Sequence, residues 1–348
     1  MERTAKPFLK VFAGEPVWPP PIWLMRQAGR YLPEYRAVRA RAGDFITLCT
    51  TPELAIDVTM QPIRRYRFDA AILFSDILMV PWALGQGLDY REGEGPVLPP
   101  LRSAADIRSL QLERLGSEIA PILQTVRGVR HSLAHEGFAD CSLIGFAGAP
   151  FTVACYMVEG GGSRDFAATR TMAYAEPVQF GQLMELLTEA TVRYLSAQID
   201  AGADAVMLFD TWAGILPPAQ FREHVIGPAK IIRLRLKQDY PEVPVIGFPR
   251  LAGALIGDYV SATGIDGVGL DSGMELCFAK QVISTRTVMQ GNLDPMALVA
   301  GGSALRRATA TVLDSAKGRP FVFNLGHGIV PQTPPEHVAS LVEQVRAA

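Results

Sequence analysis

Short apolar runs alternate with amphipathic segments along almost the whole chain. Eight apolar runs have the length of strands and lack regular polar alternation, which predicts strands buried on both faces of a sheet. The predicted strands are 22–25, 70–74, 142–146, 205–209, 243–248, 267–270, 288–291 and 321–324. The clearest predicted helices are 53–61, 104–111, 117–136, 174–201, 218–238, 274–284, 304–316 and 333–345. This alternation is typical of a parallel sheet covered by helices.

Eight strands alternating with helices in 348 residues favour an α/β fold, a single (β/α)8 barrel of the TIM type that takes up residues 1–348 as one domain. An open, doubly wound parallel sheet is the alternative, because the spacing of the elements does not show whether the sheet closes. No linker, low-complexity tract or short repeat divides the chain. In a barrel, the active-site cleft lies at the C-terminal ends of the strands.

The loops that follow the predicted strands carry most of the candidate functional side chains, whereas the segments before the strands look like ordinary turns. This asymmetry predicts that one edge of the sheet holds the site. The loops with such groups include Ser75-Asp76, Asp210-Thr211, Pro249-Arg250 and Gly326-His327-Gly328.

The segment after the first predicted strand, Arg26-Gln27-Ala28-Gly29-Arg30, combines two guanidinium groups with a glycine. Arginine binds carboxylate or phosphate through its planar fork and stays charged at any working pH. If the segment is helical, Arg26 and Arg30 share one face, and Gly29 lets a ligand approach the backbone. The segment predicts a site for a ligand with several anionic groups. A surface helix with solvated charges is the alternative.

Three further residues are candidates because of their positions. Asp76 ends a buried strand, where a carboxylate can accept N–H donors or stabilise a cation; a helix N-cap is the alternative. Tyr156 puts a hydroxyl on a mostly apolar helix, as a ligand contact or as a core tyrosine. His327 lies between two glycines after the last strand and is either functional or structural. Gly160–Gly162 predicts a mobile hinge or lid.

Composition narrows the classes of function. A formal net charge of −2 at pH 7 disfavours nucleic acid as a main partner. No run reaches membrane-spanning length, and the N-terminal segment lacks the apolar core of a signal peptide. The four cysteines are scattered, which indicates buried thiols in a reducing compartment rather than disulfides or a zinc site. We therefore expect a soluble, cytoplasmic protein without a metal site.

Six motifs follow one another between about Phe8 and the C-terminus in an order that is itself informative. They are RQAGRYLPEY from Arg26, FSDI from Phe74, GAPFT from Gly148 with YMVEG from Tyr156, FDTWAG from Phe209, GNLDP from Gly291 and NLGHG from Asn324. In sequence and order they resemble the uroporphyrinogen decarboxylase family.

The resemblance implies a (β/α)8 barrel that works as a cytoplasmic homodimer without metal or organic cofactor. The implied activity is that of a carboxy-lyase of haem and tetrapyrrole biosynthesis. It converts uroporphyrinogen III to coproporphyrinogen III by decarboxylating four acetate side chains to methyl groups. Asp76, Arg26 and Arg30 are implied to be catalytic. The implied substrate contacts are Arg26, Gln27, Ala28, Gly29, Arg30, Asp76, Tyr156, Thr211 and His327. Some members of the family carry serine at position 211, and Thr211 keeps the hydroxyl.

Two other functions are alternatives for a barrel with these loops. A corrinoid-dependent methyltransferase shares the barrel but binds zinc through a His-x-Cys pair and a later cysteine. Here the loop after the fifth predicted strand is Gly247-Phe-Pro-Arg250, and no cysteine follows His327 closely. A non-catalytic tetrapyrrole carrier is the other alternative, and the intact set of loop residues argues against it.

Overall fold

A parallel sheet of seven strands dominates the computed structural model, which describes residues 6–91, 93 and 95–348. Two further strands form a separate antiparallel hairpin. In chain order the strands are β1 (Ala70–Ile72), β2 (Asp89–Arg91), β3 (Gly95–Val97), β4 (Ser142–Gly148), β5 (Ala205–Asp210), β6 (Val245–Pro249), β7 (Gly267–Gly269), β8 (Val288–Leu293) and β9 (Phe321–Leu325).

The main sheet runs in the order β1-β4-β5-β6-β7-β8-β9, and every neighbouring pair is parallel. All residues of β4 and β5 are buried. This confirms the predicted α/β architecture and the prediction of strands covered on both faces. Because the strands are parallel, their C-terminal ends lie along one edge, and the loops that follow them meet there.

The first predicted strand differs from the others. Only Ile22 bridges to β9, at Phe323. On its other side, Ile22 O accepts a hydrogen bond from Asp69 N at 2.9 Å, and Ile22 N donates to Asp69 Oδ2 at 2.7 Å. Met25 N donates to the Asn324 side chain at 2.9 Å. Side chains therefore take bonds that would extend a backbone ladder. The segment lies between the two ends of the strand order without forming a regular strand.

Helices connect the strands and cover the sheet. They are α1 (Pro7–Phe12), α2 (Pro33–Ala42), α3 (Phe45–Thr50), α4 (Pro52–Tyr66), α5 (Met79–Ala83), α6 (Ala104–Arg108), α7 (Leu115–Glu118), α8 (Ala120–His135), α9 (Pro150–Glu159), α10 (Ala167–Ala175), α11 (Pro177–Asp200), α12 (Pro218–Phe221), α13 (Gly227–Asp239), α14 (Ile256–Thr263), α15 (Leu276–Val282), α16 (Pro295–Ala300), α17 (Gly302–Ala316) and α18 (Pro335–Arg346). Short 3-10 turns occur at Leu112–Arg114, Ala213–Ile215 and Gly253–Leu255, and a π turn at Arg222–Ile226.

Two long predicted helices are interrupted in the structure. The helix predicted over 174–201 is divided at Glu176, and Pro177 starts α11 at the first helical position, where its missing N–H costs nothing. The helix predicted over 218–238 contains the π turn between α12 and α13. The apolar periodicity continues across both interruptions, so the pattern alone does not locate them.

The hairpin of β2 and β3 lies outside the main sheet and is attached to the end of α9. Val97 bridges to Gly161, and Leu98 N donates to Gly160 O at 2.9 Å. Gly160 ends α9 with a φ of +84°, in the left-handed region that favours glycine. These contacts give the glycine run an anchoring role, and its hinge function stays a prediction.

The cysteines and the helices bear on two further expectations. Cys49, Cys141 and Cys155 are buried free thiols, whereas Cys277 on α15 is exposed, so the expectation of buried thiols is wrong for Cys277. Among the described residues, no helix combines the length and the apolar character required to cross a membrane.

Candidate active site

The loop of residues 26–30 starts with a backbone turn at Arg26. Arg26 has a φ of +61°, which non-glycine residues adopt uncommonly. Its exposed side chain lies against the loop after β9, because a Cβ added to Gly328 would be 2.3 Å from Arg26 Cδ. The helix that would have put Arg26 and Arg30 on one face is therefore not found. The turn instead directs Arg26 toward the loop that contains His327.

Gln27 supports this loop from inside the protein. Its fully buried side chain donates from Nε2 to Ala70 O at 3.1 Å and accepts at Oε1 from Leu24 N at 3.1 Å. Its carbonyl accepts from the Tyr31 hydroxyl at 2.9 Å. The side-chain amide thus joins the loop to β1. The predicted substrate contact of Gln27 stays a prediction.

The tip of the loop contains backbone N–H groups that are available to a ligand. The N–H groups of Ala28, Gly29 and Arg30 donate to no acceptor among the described residues. Successive free N–H groups in a turn form a concave site for an anion. The exposed Arg30 guanidinium also forms no ion pair with a described residue. The tip of the loop can therefore bind a carboxylate through both its backbone and its side chains.

Asp76 follows β1 and is half-buried. Its Oδ1 accepts from Leu78 N at 2.8 Å, and Leu78, not Asp76, is the N-cap of α5. Burial raises the pKa of Asp76, and the Leu78 N–H, the Tyr90 hydroxyl and the Arg26 charge partly offset that rise. Oδ2 accepts no fully formed hydrogen bond from the described residues. The carboxylate therefore keeps acceptor capacity for a ligand.

Tyr156 lies on α9 and is half-buried. Its ring packs against those of Phe166 and Trp212, with a centroid distance of 6.3 Å to each. Burial raises the pKa of Tyr156, and the charge of Asp76 adds to this rise. The Trp212 indole and the charge of Arg26 oppose it. The hydroxyl therefore lies within electrostatic reach of both the carboxylate and the guanidinium of the site.

His327 follows β9 and is half-buried. Burial, together with the nearby positive charges of Arg26 and Arg250, lowers its pKa to about 4. The imidazole is therefore neutral at pH 7. A Cβ on Gly326 would lie 2.2 Å from Ser272 N, so the chain just before His327 approaches the loop after β7 too closely for any other residue.

Thr211 comes directly after β5 and is half-buried, and its hydroxyl has no partner among the described residues. A short chain of hydrogen bonds fixes the turn around it. Trp212 N donates to Thr152 Oγ1 at 3.0 Å, and Thr152 Oγ1 donates to Asp210 Oδ1 at 2.5 Å. The Thr211 hydroxyl is thus left free at a rigidly held position.

Four of the predicted residues lie close enough to influence one another electrostatically. They are Arg26, Asp76, Tyr156 and His327. Arg30 is less directly connected. It and Asp76 both influence the pKa of Tyr35, which burial raises to about 12. The participation of Arg30 in the same site therefore stays a prediction.

Two residues of this region were missed by the sequence argument as individual candidates. Arg250 follows β6, is half-buried, and forms no ion pair with a described residue although its charge acts on His327. Its position after a strand was the available signal. Tyr90, on the β2–β3 hairpin, acts on Asp76. No spacing in the sequence connects Tyr90 with the strand ends.

Comparison with known proteins identifies the family of the chain. The family model described as uroporphyrinogen decarboxylase matches residues 3–348. The chain belongs to the uroporphyrinogen decarboxylase family. A uroporphyrinogen decarboxylase from Gluconacetobacter diazotrophicus is 55% identical over 353 residues, covering 99% of both chains. One from Granulibacter bethesdensis is 56% identical over 341 residues, covering 98% of this chain and 99% of the relative.

Solved structures support the same fold. A methyltransferase from Methanosarcina mazei superimposes with a TM-score of 0.79 at 20% sequence identity, covering 97% of each chain. At that identity the likeness shows the fold alone. Within the described residues, no group of three or more His, Cys, Asp and Glu side chains is arranged to hold a metal ion.

The raised pKa of Asp210 predicts that the stability of the fold depends on pH. Burial raises its pKa to about 7, against about 3.9 in an unfolded chain. The folded state therefore holds an extra proton between these values, and stability falls as pH rises through about 4 to 7. Asp210→Asn is expected to remove this pH dependence. Relative to the parent, its free energy of unfolding should rise by up to about 4 kcal/mol between pH 4 and pH 8. Denaturant unfolding of both proteins across this range measures it. A constant difference between them would contradict it.

The pKa of His327 is expected to rise when a ligand binds. Without ligand we expect its imidazole to titrate near pH 4. A carboxylate bound beside it would compensate the two guanidinium charges and raise its pKa by one unit or more, to about 5 or above. Nitrogen-15 NMR of labelled histidines, assigned with His327→Gln, measures both values with and without coproporphyrinogen III. Titration near 6.5 in the free protein would contradict this expectation.

Proposed function

We propose that this chain is a uroporphyrinogen decarboxylase that converts uroporphyrinogen III to coproporphyrinogen III without a cofactor. The observation that carries the proposal is one carboxylate, Asp76, within electrostatic reach of Arg26 and the hydroxyl of Tyr156 at the C-terminal edge of the sheet. Membership of the family over nearly the whole chain supports it independently.

The substrate has two features that this site matches. It carries eight carboxylates around a flexible macrocycle, and four pyrrole N–H groups point to the centre of the ring. Arginine forks and free backbone N–H groups bind the carboxylates. A single carboxylate accepts the central N–H groups, because an ionised aspartate has about four acceptor positions.

The reaction needs a sink for the electrons of the breaking bond. A proton is added to a pyrrole carbon, which makes the ring cationic. The bond between the acetate methylene and its carboxylate then breaks, CO2 leaves, and the electron pair neutralises the ring as an exocyclic methylene forms. A second protonation of this methylene gives the methyl group, and the first proton is lost from the ring. Each acetate carboxylate is thereby replaced by one hydrogen.

Asp76 has the central role in this proposal. Its carboxylate accepts the pyrrole N–H groups and stabilises the ring cation as it develops, which is preorganised electrostatic stabilisation. The carboxylate is already oriented by the Leu78 N–H before substrate arrives. Little reorganisation is then needed at the moment of charge development.

The other residues hold the acidic arms. Arg26 and Arg30 bind substrate carboxylates, and one of them places the departing carboxylate or relays a proton. Tyr156, Thr211 and the neutral imidazole of His327 bind further arms through hydrogen bonds. Ala28 and Gly29 contribute backbone N–H groups to the same purpose.

Four broader features belong to the same proposal. The segment around Ile22, bonded to β9 on one side and to Asp69 on the other, supports its completing an eight-stranded barrel. The continuous buried core supports one domain over residues 1–348.

The exposed apolar side chains of Tyr174 and Val178 are compatible with a homodimer, which sedimentation analysis tests. The expected compartment is the cytoplasm.

Anaerobic incubation with uroporphyrinogen III, followed by chromatographic counting of carboxyl groups, tests the function. Products with seven, six and five carboxyls should appear before the four-carboxyl product, equally with and without chelator. Substrate that stays at eight carboxyls would favour a tetrapyrrole carrier. Loss of activity with chelator, and stoichiometric zinc in the purified protein, would favour the methyltransferase-like alternative.

A further inference from the structure

Tyr90 reaches the site from an element outside the main sheet. It lies on β2, and its ring packs on Phe45 with centroids 4.6 Å apart. Phe45 in turn contacts Phe74 at 5.9 Å, in the segment that leads from β1 to Asp76. Aromatic packing therefore places the Tyr90 side chain over the end of β1, where the site carboxylate begins its turn.

The Tyr90 hydroxyl is buried and makes no formed hydrogen bond with a described residue. A buried hydroxyl without a partner costs free energy, so its retention in this position calls for a partner during function. The packing of Tyr90 on Phe45, and of Phe45 on Phe74 two residues before Asp76, makes the Asp76 carboxylate the nearby acceptor. The mutual influence of the two groups on their pKa values agrees with this placement. The Tyr90 hydroxyl can donate one hydrogen bond, and Asp76 Oδ2 keeps acceptor capacity, so the two groups can pair.

The hairpin that carries Tyr90 is fixed to the helix that carries Tyr156. Leu98 N donates to Gly160 O at 2.9 Å, immediately after α9. The Gln86 amide donates to both Pro99 O at 2.8 Å and Met157 O at 3.1 Å. The hairpin that carries Tyr90 is thus anchored to α9, and a positioning residue requires such a rigid support.

We propose that Tyr90 is a positioning residue that donates its hydroxyl hydrogen to Asp76, keeping this carboxylate ionised and oriented toward the pyrrole N–H groups. The inference rests on the proposed decarboxylase function. Burial disfavours the charged form of Asp76, and a donor at Oδ2 opposes that effect. The ionisable groups that face Asp76 from the surrounding elements are Arg26, Tyr35, Cys49, Tyr90, Tyr156 and Tyr194.

This arrangement predicts how loss of the Tyr90 hydroxyl changes the pH dependence of activity. Activity falls at low pH as Asp76 becomes protonated. Removing the Tyr90 hydroxyl raises the pKa of Asp76 further, so the acid limb of kcat/KM moves to higher pH. A hydrogen bond to a charged group corresponds to a shift of about one pH unit. Below both limbs, the rate of the variant falls by about tenfold, and at high pH it approaches that of the parent.

Tyr90→Phe tests this, because it keeps the ring on Phe45 and removes only the hydroxyl. The measurement is kcat/KM for uroporphyrinogen decarboxylation against pH. Tyr90→Met, which also lacks the hydroxyl, should show the same upward shift. Tyr240→Phe is the matched control, because it breaks a tyrosine–aspartate bond of 2.8 Å to Asp200 elsewhere in the fold. Its profile should match that of the parent.

A profile of Tyr90→Phe that superimposes on the parent would overturn the inference, and so would a loss of rate that is equal at every pH. A shift in Tyr90→Phe that Tyr90→Met does not share would also contradict it. The carbon-13 titration of the Asp76 carboxyl, assigned with Asp76→Asn, tests the inference without activity. If the parent fails to decarboxylate, the proposed function fails, whereas an unshifted Asp76 titration in Tyr90→Phe rejects the role of Tyr90 alone.

Discussion

Asp76→Asn is expected to lower kcat by about 10²–10³-fold or more. Asparagine keeps the size of the side chain and an oxygen that accepts from Leu78 N, so the turn after β1 should persist. What is lost is the negative charge that stabilises the ring cation and part of the capacity to accept pyrrole N–H groups. Single-turnover assays under anaerobic conditions measure the chemical step directly.

The matched control for this variant is Asp314→Asn. Asp314 is an exposed aspartate near the end of α17 that pairs with Lys317 at 2.8 Å. Its replacement should leave kcat and the circular dichroism spectrum unchanged. Parent-like turnover in a correctly folded Asp76→Asn variant would reject the proposed role of Asp76.

Arg26→Gln is expected to lower kcat/KM by about 10²-fold or more, because a charged group in a substrate-binding position is lost. Arg26→Lys keeps the charge without the planar fork and should recover only part of the activity. The variant has a second expected effect. Since the Arg26 charge lowers the pKa of His327, its removal should raise that pKa above about 4. Steady-state kinetics and histidine NMR measure the two effects separately.

Arg222→Gln is the matched control for this loss of charge. Arg222 is exposed on the π turn before α13 and pairs with Asp258 of α14 at 2.6 Å. Its replacement should change neither kcat/KM nor the His327 titration. An Arg26→Gln variant with unchanged kinetics would show that the acidic arms are held by other groups.

Much of the fold followed from the sequence because the strands of a parallel sheet are buried on both faces. The apolar runs at 142–146 and 205–209 lie within β4 and β5, whose residues are all buried. The first predicted strand was less regular than its apolar pattern indicated. At Ile22 and Met25, the side chains of Asp69 and Asn324 take the hydrogen bonds, and an apolar pattern carries no information about such bonds.

The site was predictable where a residue follows a strand. Asp76 and His327 were identified on this basis, whereas Thr211 was named by the family resemblance; the structure places each of the three after a strand of the main sheet. The direction of the Arg26 side chain was not predictable, because it depends on a left-handed backbone turn at a non-glycine residue. Tyr90 was not predictable either, because the packing of a hairpin against the sheet is a long-range contact.

A crystal structure of the chain with coproporphyrinogen III, grown anaerobically, tests the central claim most directly. We predict Asp76 oxygens within hydrogen-bond distance of the pyrrole nitrogens, and a carboxylate of the ligand on the Arg26 guanidinium. A ligand bound at another edge of the sheet, or bound here with its nitrogens turned away from Asp76, would contradict the account.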